Sequence, residues 1–99
     1  MPYTIIKRAI ERRESLTAKY ENYLRHFSPH ALGDDHVGAS NVLGFQYGGG
    51  RPGGLPPSGD WCFFRLDGLR GLFPNRDRWL TGLLENRPLH RFARVDVLV

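Results

Sequence analysis

The stretch Gly48–Gly59, reading GGGRPGGLPPSG, constrains this chain more than any other. Pro52, Pro56 and Pro57 remove backbone donors, and the glycines favour turns, so neither a helix nor a central strand can pass through it. On each side lies a run with the two-residue period of a strand. In Asn41–Tyr47, Leu43, Phe45 and Tyr47 share one face, and Trp61–Leu66 alternates Trp61, Phe63 and Arg65 with Cys62, Phe64 and Leu66. The tract therefore reads as a flexible connection, residues 48–60, between two strands. It contains G-x-G-x-x-G at Gly48, Gly50 and Gly53, but the prolines prevent the helix that a dinucleotide site needs. A functional alternative is a mobile flap presenting Arg51 to a ligand.

Upstream, Thr4–Arg13 has helical spacing. Ile5, Ile6, Ala9 and Ile10 fall on one face, Thr4 is a candidate N-cap, and Arg12 and Arg13 suit the C-terminal end. Leu16–Tyr20 then alternates as a strand, Glu21-Asn22 reads as a two-residue turn, and Tyr23–Ser28 as the returning strand. Pro29 is expected to end it, with Ala31-Leu32-Gly33 leading out into a loop over Gly33–Ser40. Leu69, Leu72 and Phe73 continue past a bend at Asp67-Gly68. Trp79, Leu80, Leu83 and Leu84 allow about two helical turns, limited by Gly82 and the flanking prolines. Phe92–Val99 closes the chain as a valine-rich strand. This order predicts a single domain over 1–99, mainly β with an N-terminal helix (α+β), folded as a small barrel or strongly curved sheet.

The chain has 99 residues, of which 40% are apolar and 12% aromatic, enough for one packed core. Cys62 has no intramolecular disulfide partner, the amino terminus lacks the apolar stretch of a signal peptide, and no run approaches the ~20 apolar residues of a membrane span. The expectation is a soluble cytoplasmic protein with no membrane association. Among 14 basic residues only Lys7 and Lys19 are lysines, so the net charge of +4 is carried mostly by arginine, whose planar fork suits phosphate or carboxylate.

Catalytic chemistry finds little footing. Ser15, Ser28, Ser40 and Ser58 lack a nucleophile context, paired carboxylates are not evident, and His26, His30 and His36 do not have metal-ligand spacing. The chain is therefore read as no enzyme, with no metal and no cofactor. What stands out is aromatic and basic interleaving, at Tyr20, Tyr23-Leu24-Arg25, Phe45-Gln46-Tyr47, Trp61 and Phe63-Phe64-Arg65. Rings stack on bases and arginine meets phosphate. Phe27, Phe45, Phe64 and Leu66 are expected in the core, whereas Tyr47 and Arg65 have polar tips beside the flexible connection.

The leading helix with Ala9-Ile10 and Arg12-Arg13, the strand Leu16–Tyr20, and the segments Ser28–Gly33, Val42–Gly48 and Phe63–Leu69 together resemble the WYL domain. The similarity covers residues 4–73, and its most specific piece is Phe64-Arg65-Leu66-Asp67. Leu43-Gly44-Phe45 stands where the family has its eponymous Trp-Tyr-Leu triplet. The resemblance implies a small SH3/Sm-like β-barrel in a stand-alone version, and a regulatory module that binds a nucleotide or single-stranded nucleic acid. In that reading Arg65 neutralises phosphate, Tyr47 stacks, and His30, Gln46 and Arg25 add polar contacts. The alternative is a protein-interaction domain that meets a regulatory partner, or itself as a homodimer, through an edge strand or the apolar tail Val95–Val99.

Overall fold

The computed structural model describes all residues from Met1 to Val99. Helix α1 spans Pro2–Arg12. It starts two residues before the Thr4 cap expected from sequence, because Pro2 already holds the dihedral of a first helical turn. It ends where Arg13 turns left-handed at φ 56° and returns its N–H to the carbonyls of Ala9 and Ile10. Ile6, Ala9 and Ile10 form its buried stripe.

Strands β1 (Leu16–Tyr20) and β2 (Tyr23–Asp35) form a hairpin whose turn residues Glu21 and Asn22 both have positive φ. That matches the twist of a two-residue primed turn, achieved here without glycine. The sequence expectation that Pro29 ends the second strand is corrected. β2 runs for 13 residues, because Pro29 sits at a register irregularity between Pro29 and Ala31, where its missing donor interrupts nothing. Ala31-Leu32-Gly33 are strand residues, and the expected loop shrinks to a turn at 36–39. Asp35 builds that turn, its carboxylate accepting from the N–H groups of Val37 and Ala39 and from the Asn41 amide.

β3 (Ser40–Gly49) pairs with β2 along most of its length, and β4 (Asp60–Arg65) pairs with β3 on the far edge. A 3-10 turn at Leu66–Gly68 leads into β5 (Arg70–Pro74), which returns to pair with β1. The strand order is β4-β3-β2-β1-β5, all antiparallel. β6 (Phe92–Leu98) joins the C-terminal half of β2, on the edge that β1 uses in its N-terminal half. No ladder joins β4 to β5. The architecture is a curled antiparallel sheet with an N-terminal helix, and the Tyr20 hydroxyl, accepting from the Arg65 N–H at 3.1 Å, bridges part of its open seam.

The segment between β5 and β6 holds no α-helix. The two turns expected around Trp79–Leu84 are replaced by extended chain and two short 3-10 turns, Leu84–Asn86 and Leu89–Arg91. Its backbone is engaged by the sheet instead, since Ser15 donates to the Arg78 carbonyl and the Leu80 N–H donates to Ser28 Oγ. The main core lies between α1 and the sheet, around Ile6, Ile10, Leu16, Phe27, Val42 and Phe64. A smaller cluster joins Ala31, Leu43 and Phe92, with Trp61 and Phe63 against it. Phe27, Phe45 and Phe64 are buried as expected, whereas Leu66 is only half-buried. No helix is long and apolar enough to cross a membrane.

β6 docks against a glycine. A Cβ on Gly33 would lie 2.0 Å from the Arg94 carbonyl oxygen, a contact with backbone that cannot swing aside. Gly33→Ala is expected to cost about 1–3 kcal/mol and to loosen β6 first. Thermal melts and amide exchange of Val95 and Val97 measure both effects.

Candidate functional site

The five residues singled out from sequence do not converge. Arg25 and Gln46 do meet, but they are committed to each other. Arg25 is only 3% exposed, and its guanidinium donates to Gln46 Oε1 at 3.1 Å, to Glu21 at 3.1 Å and to the Tyr20 carbonyl at 3.3 Å. It also lies 5.4 Å from the ring centres of Tyr20 and Phe64. Gln46 donates to the Gly48 and Gly50 carbonyls, each at 3.0 Å, and so pins the start of the glycine-rich connection. These two side chains are structural because their polar atoms are satisfied inside the fold. Arg51, considered as the bearer of a mobile flap, is tied down as well. It pairs with Asp60 at 3.0 Å and approaches Cys62 Sγ at 3.7 Å, while burial pushes the Cys62 thiol up.

His30 is buried rather than at a strand end. Nδ1 lies 2.8 Å from the Ser28 carbonyl, which only accepts, so Nδ1 carries the proton. Nε2 of the neutral ring then accepts from the Thr81 hydroxyl at 2.7 Å. Trp61 and Trp79 pack on the ring with centres 4.8 and 4.7 Å away. Burial lowers the His30 pKa, and Arg87 and Arg13 lower it further against the opposing Ser28 hydrogen bond. Unfolding at acidic pH therefore takes up a proton that the folded ring resists. This contribution to stability is complete above the ordinary histidine value of 6.5 and is lost as pH falls below it. Thermal melts are expected to show a decline from pH 7.5 to 5, and His30→Gln is expected to flatten it.

The other histidines stand apart, with His26 Nδ1 bonded to Thr17 Oγ1 and His36 Nε2 near the His90 carbonyl. No three His, Cys, Asp or Glu side chains are grouped as metal ligands.

Tyr47 and Arg65 are also separated. Arg65 is paired in register with Asn41, six residues along β3 from Tyr47, a span of roughly 20 Å in extended strand. The Tyr47 hydroxyl donates to Asp77 at 2.8 Å and accepts from Asn75 at 2.9 Å, and burial with the Asp77 contact raises its pKa. Tyr47 thus anchors the C-terminal segment.

Arg65 does line an open cleft, of about 680 Å³, together with Tyr20, Phe63, Arg91, His36 and His90. The Arg91 guanidinium lies 4.5 Å over the Phe63 ring. Arg91 has no carboxylate partner, and the Arg65–Asp67 pair at 3.3 Å is exposed on both sides. Asp35 is the one carboxylate lining the cleft, and hydrogen bonds from its own turn hold its pKa down. Phe63 and Arg65 were visible as same-face neighbours on one strand. Arg91 gave no local signal, because it reaches the cleft only through the pairing of β6 with β2.

No known family model matches the chain, and no curated protein or solved structure matches it either.

Proposed function

We propose that the chain is a non-catalytic binding module for a nucleotide or a single-stranded nucleic acid, working through the cleft of Tyr20, Phe63, Arg65 and Arg91. The observation that carries this reading is the Phe63 ring with Arg91, a cation without a carboxylate partner, 4.5 Å over it and the exposed Arg65 beside it in the same cleft. Arg91 has no carboxylate partner, and exposed pairs such as Arg65–Asp67 hold their charges only weakly. Phe63 and Tyr20 line the cleft as aromatic surface that a base can meet, and the two guanidinium groups suit phosphate oxygens. Of the residues first assigned to ligand contact, Arg65 keeps that role. Arg25, His30, Gln46 and Tyr47 bond within the fold instead. The leading helix, the five-strand order and the 3-10 turn between β4 and β5 support an SH3/Sm-like architecture, and in this reading the chain is a WYL-like binding module.

Fluorescence anisotropy with a labelled single-stranded oligonucleotide at low salt tests the reading. Arg65→Ala and Arg91→Ala are each expected to weaken binding and to reduce the slope of log K against log salt by about 0.7. Tyr47→Phe is expected to leave the slope unchanged. If neither oligonucleotides nor nucleotides bind wild type at low salt, the proposal is withdrawn.

A protein partner is the second reading, favoured by one observation. β6 pairs with β2 on one edge only, and Val95 and Leu98 remain exposed along it. Light scattering over a concentration series separates a self-association surface from a monomeric ligand binder.

A further inference from the structure

A second cavity, of about 310 Å³, opens between the end of the glycine/proline connection and the C-terminal segment. Its volume is at the lower end of the range for small-molecule sites, roughly 300–1,000 Å³. Phe45 and Trp61 line it, edge to face with centres 5.4 Å apart. Gly59 and Gly82 close on the Phe45 ring from two directions. A Cβ on either would come within 2.7 Å of a ring carbon, so only backbone fits there.

The polar groups around these rings are unspent. The Trp61 indole N–H donates to no group of the chain, and since every fully buried polar side-chain atom has a partner, this donor keeps some access to solvent. The Ser58 hydroxyl and the Asn86 amide on the rim also make no bond within the chain. The lining holds nothing that would attract an anion. It contains no cation, and its one carboxylate, Asp60, is paired with Arg51 at 3.0 Å.

We infer that this cavity is a binding site for an uncharged planar heteroaromatic ring with a hydrogen-bond acceptor edge. The ring lies against Trp61, beside the small part of Phe45 that stays exposed, the acceptor takes the Trp61 N–H, and Asn86 and Ser58 meet further polar atoms at the mouth. A ring held this way gains from aromatic contact and from one donor that water otherwise occupies. The site shares no residue with the Arg65–Arg91 cleft, so it stands or falls independently of the nucleic-acid reading.

Nicotinamide is a suitable probe and benzoate its charged control, with binding followed by saturation transfer to ligand protons. Wild type is expected to bind nicotinamide saturably and benzoate far more weakly. The indole N–H resonance of Trp61 shifts while that of Trp79 stays in place. Trp61→Phe keeps a ring and removes the donor, so affinity falls about tenfold. Gly82→Ala places a Cβ 3.3 Å from Trp61 Nε1 and abolishes binding. Arg65→Ala and Arg91→Ala leave it intact. The inference is overturned if wild type does not bind nicotinamide, if benzoate binds equally well, if Trp61→Phe binds as wild type does, or if the arginine variants lose the ring.

Discussion

Replacing Phe27 with alanine is expected to lower the unfolding free energy by about 3–5 kcal/mol, among the largest effects of any single truncation in this chain. Phe27 has no exposed surface, and its ring centre lies 4.9 Å from that of Phe64, beneath helix α1. Gly44 also meets this ring, at its Cδ2 edge, where a Cβ would sit 2.6 Å from a ring carbon. Glycine has no side chain to relax into the space, so the cavity cannot collapse from that direction, which favours the upper part of the range. A domain of this size commonly has about 5–15 kcal/mol in total, so the variant loses a large share of its stability. Guanidinium denaturation measures the loss as a lower midpoint. The same geometry predicts coupling. Gly44→Ala alone destabilises by striking the ring, and in the Phe27→Ala background that penalty disappears, which a double-mutant cycle reads directly.

Arg25→Met is expected to cost about 3 kcal/mol, although arginine is ordinarily a surface residue. Methionine replaces the stem but none of the donors. Gln46 Oε1 then keeps only the weak Cys62 thiol donor at 3.4 Å, and the Tyr20 carbonyl loses its side-chain partner. Leaving buried acceptors unpaired costs about 1–3 kcal/mol each. Glu21 limits the damage, because its side chain is 60% exposed and recovers water when its partner goes. The effect is therefore smaller than for a fully buried ion pair. Thermal melts check the magnitude. Oligonucleotide affinity, measured below the melting range, is expected to change far less than in Arg65→Ala, since Arg25 is 3% exposed and each of its guanidinium nitrogens already donates inside the fold.

Much of the fold was legible in the chain. The alternation in Leu16–Tyr20, Asn41–Tyr47 and Trp61–Leu66 marks strands that the structure contains, with β4 ending one residue early at Arg65. The turn at Glu21-Asn22 and the bend at Asp67-Gly68 also stand where local chemistry put them. The failures share a cause. Pro29 reads locally as a strand end, but β2 changes partner there from β1 to β6, and a bulge absorbs the missing donor. Leu80, Leu83 and Leu84 have helical spacing, yet the hydroxyls of Ser15 and Ser28 take the backbone of residues 78 and 80. In both places a long-range hydrogen bond outweighs a weak local preference.

The candidate site divides the same way. Sequence alone determined that rings and an arginine share one face of the strand Trp61–Leu66, because a two-residue period puts Trp61, Phe63 and Arg65 together whatever surrounds them. It determined equally that the glycine/proline tract links two strands. Only the tertiary structure decided which of the polar residues are free. Folding enclosed Arg25, His30 and Gln46, for which burial required internal partners, and left Arg65 in water. It also brought Arg91 from the distant C-terminal segment to within 4.5 Å of the Phe63 ring. A side chain's availability depends on how many of its donors the fold consumes, and that is settled by neighbours far away in the chain.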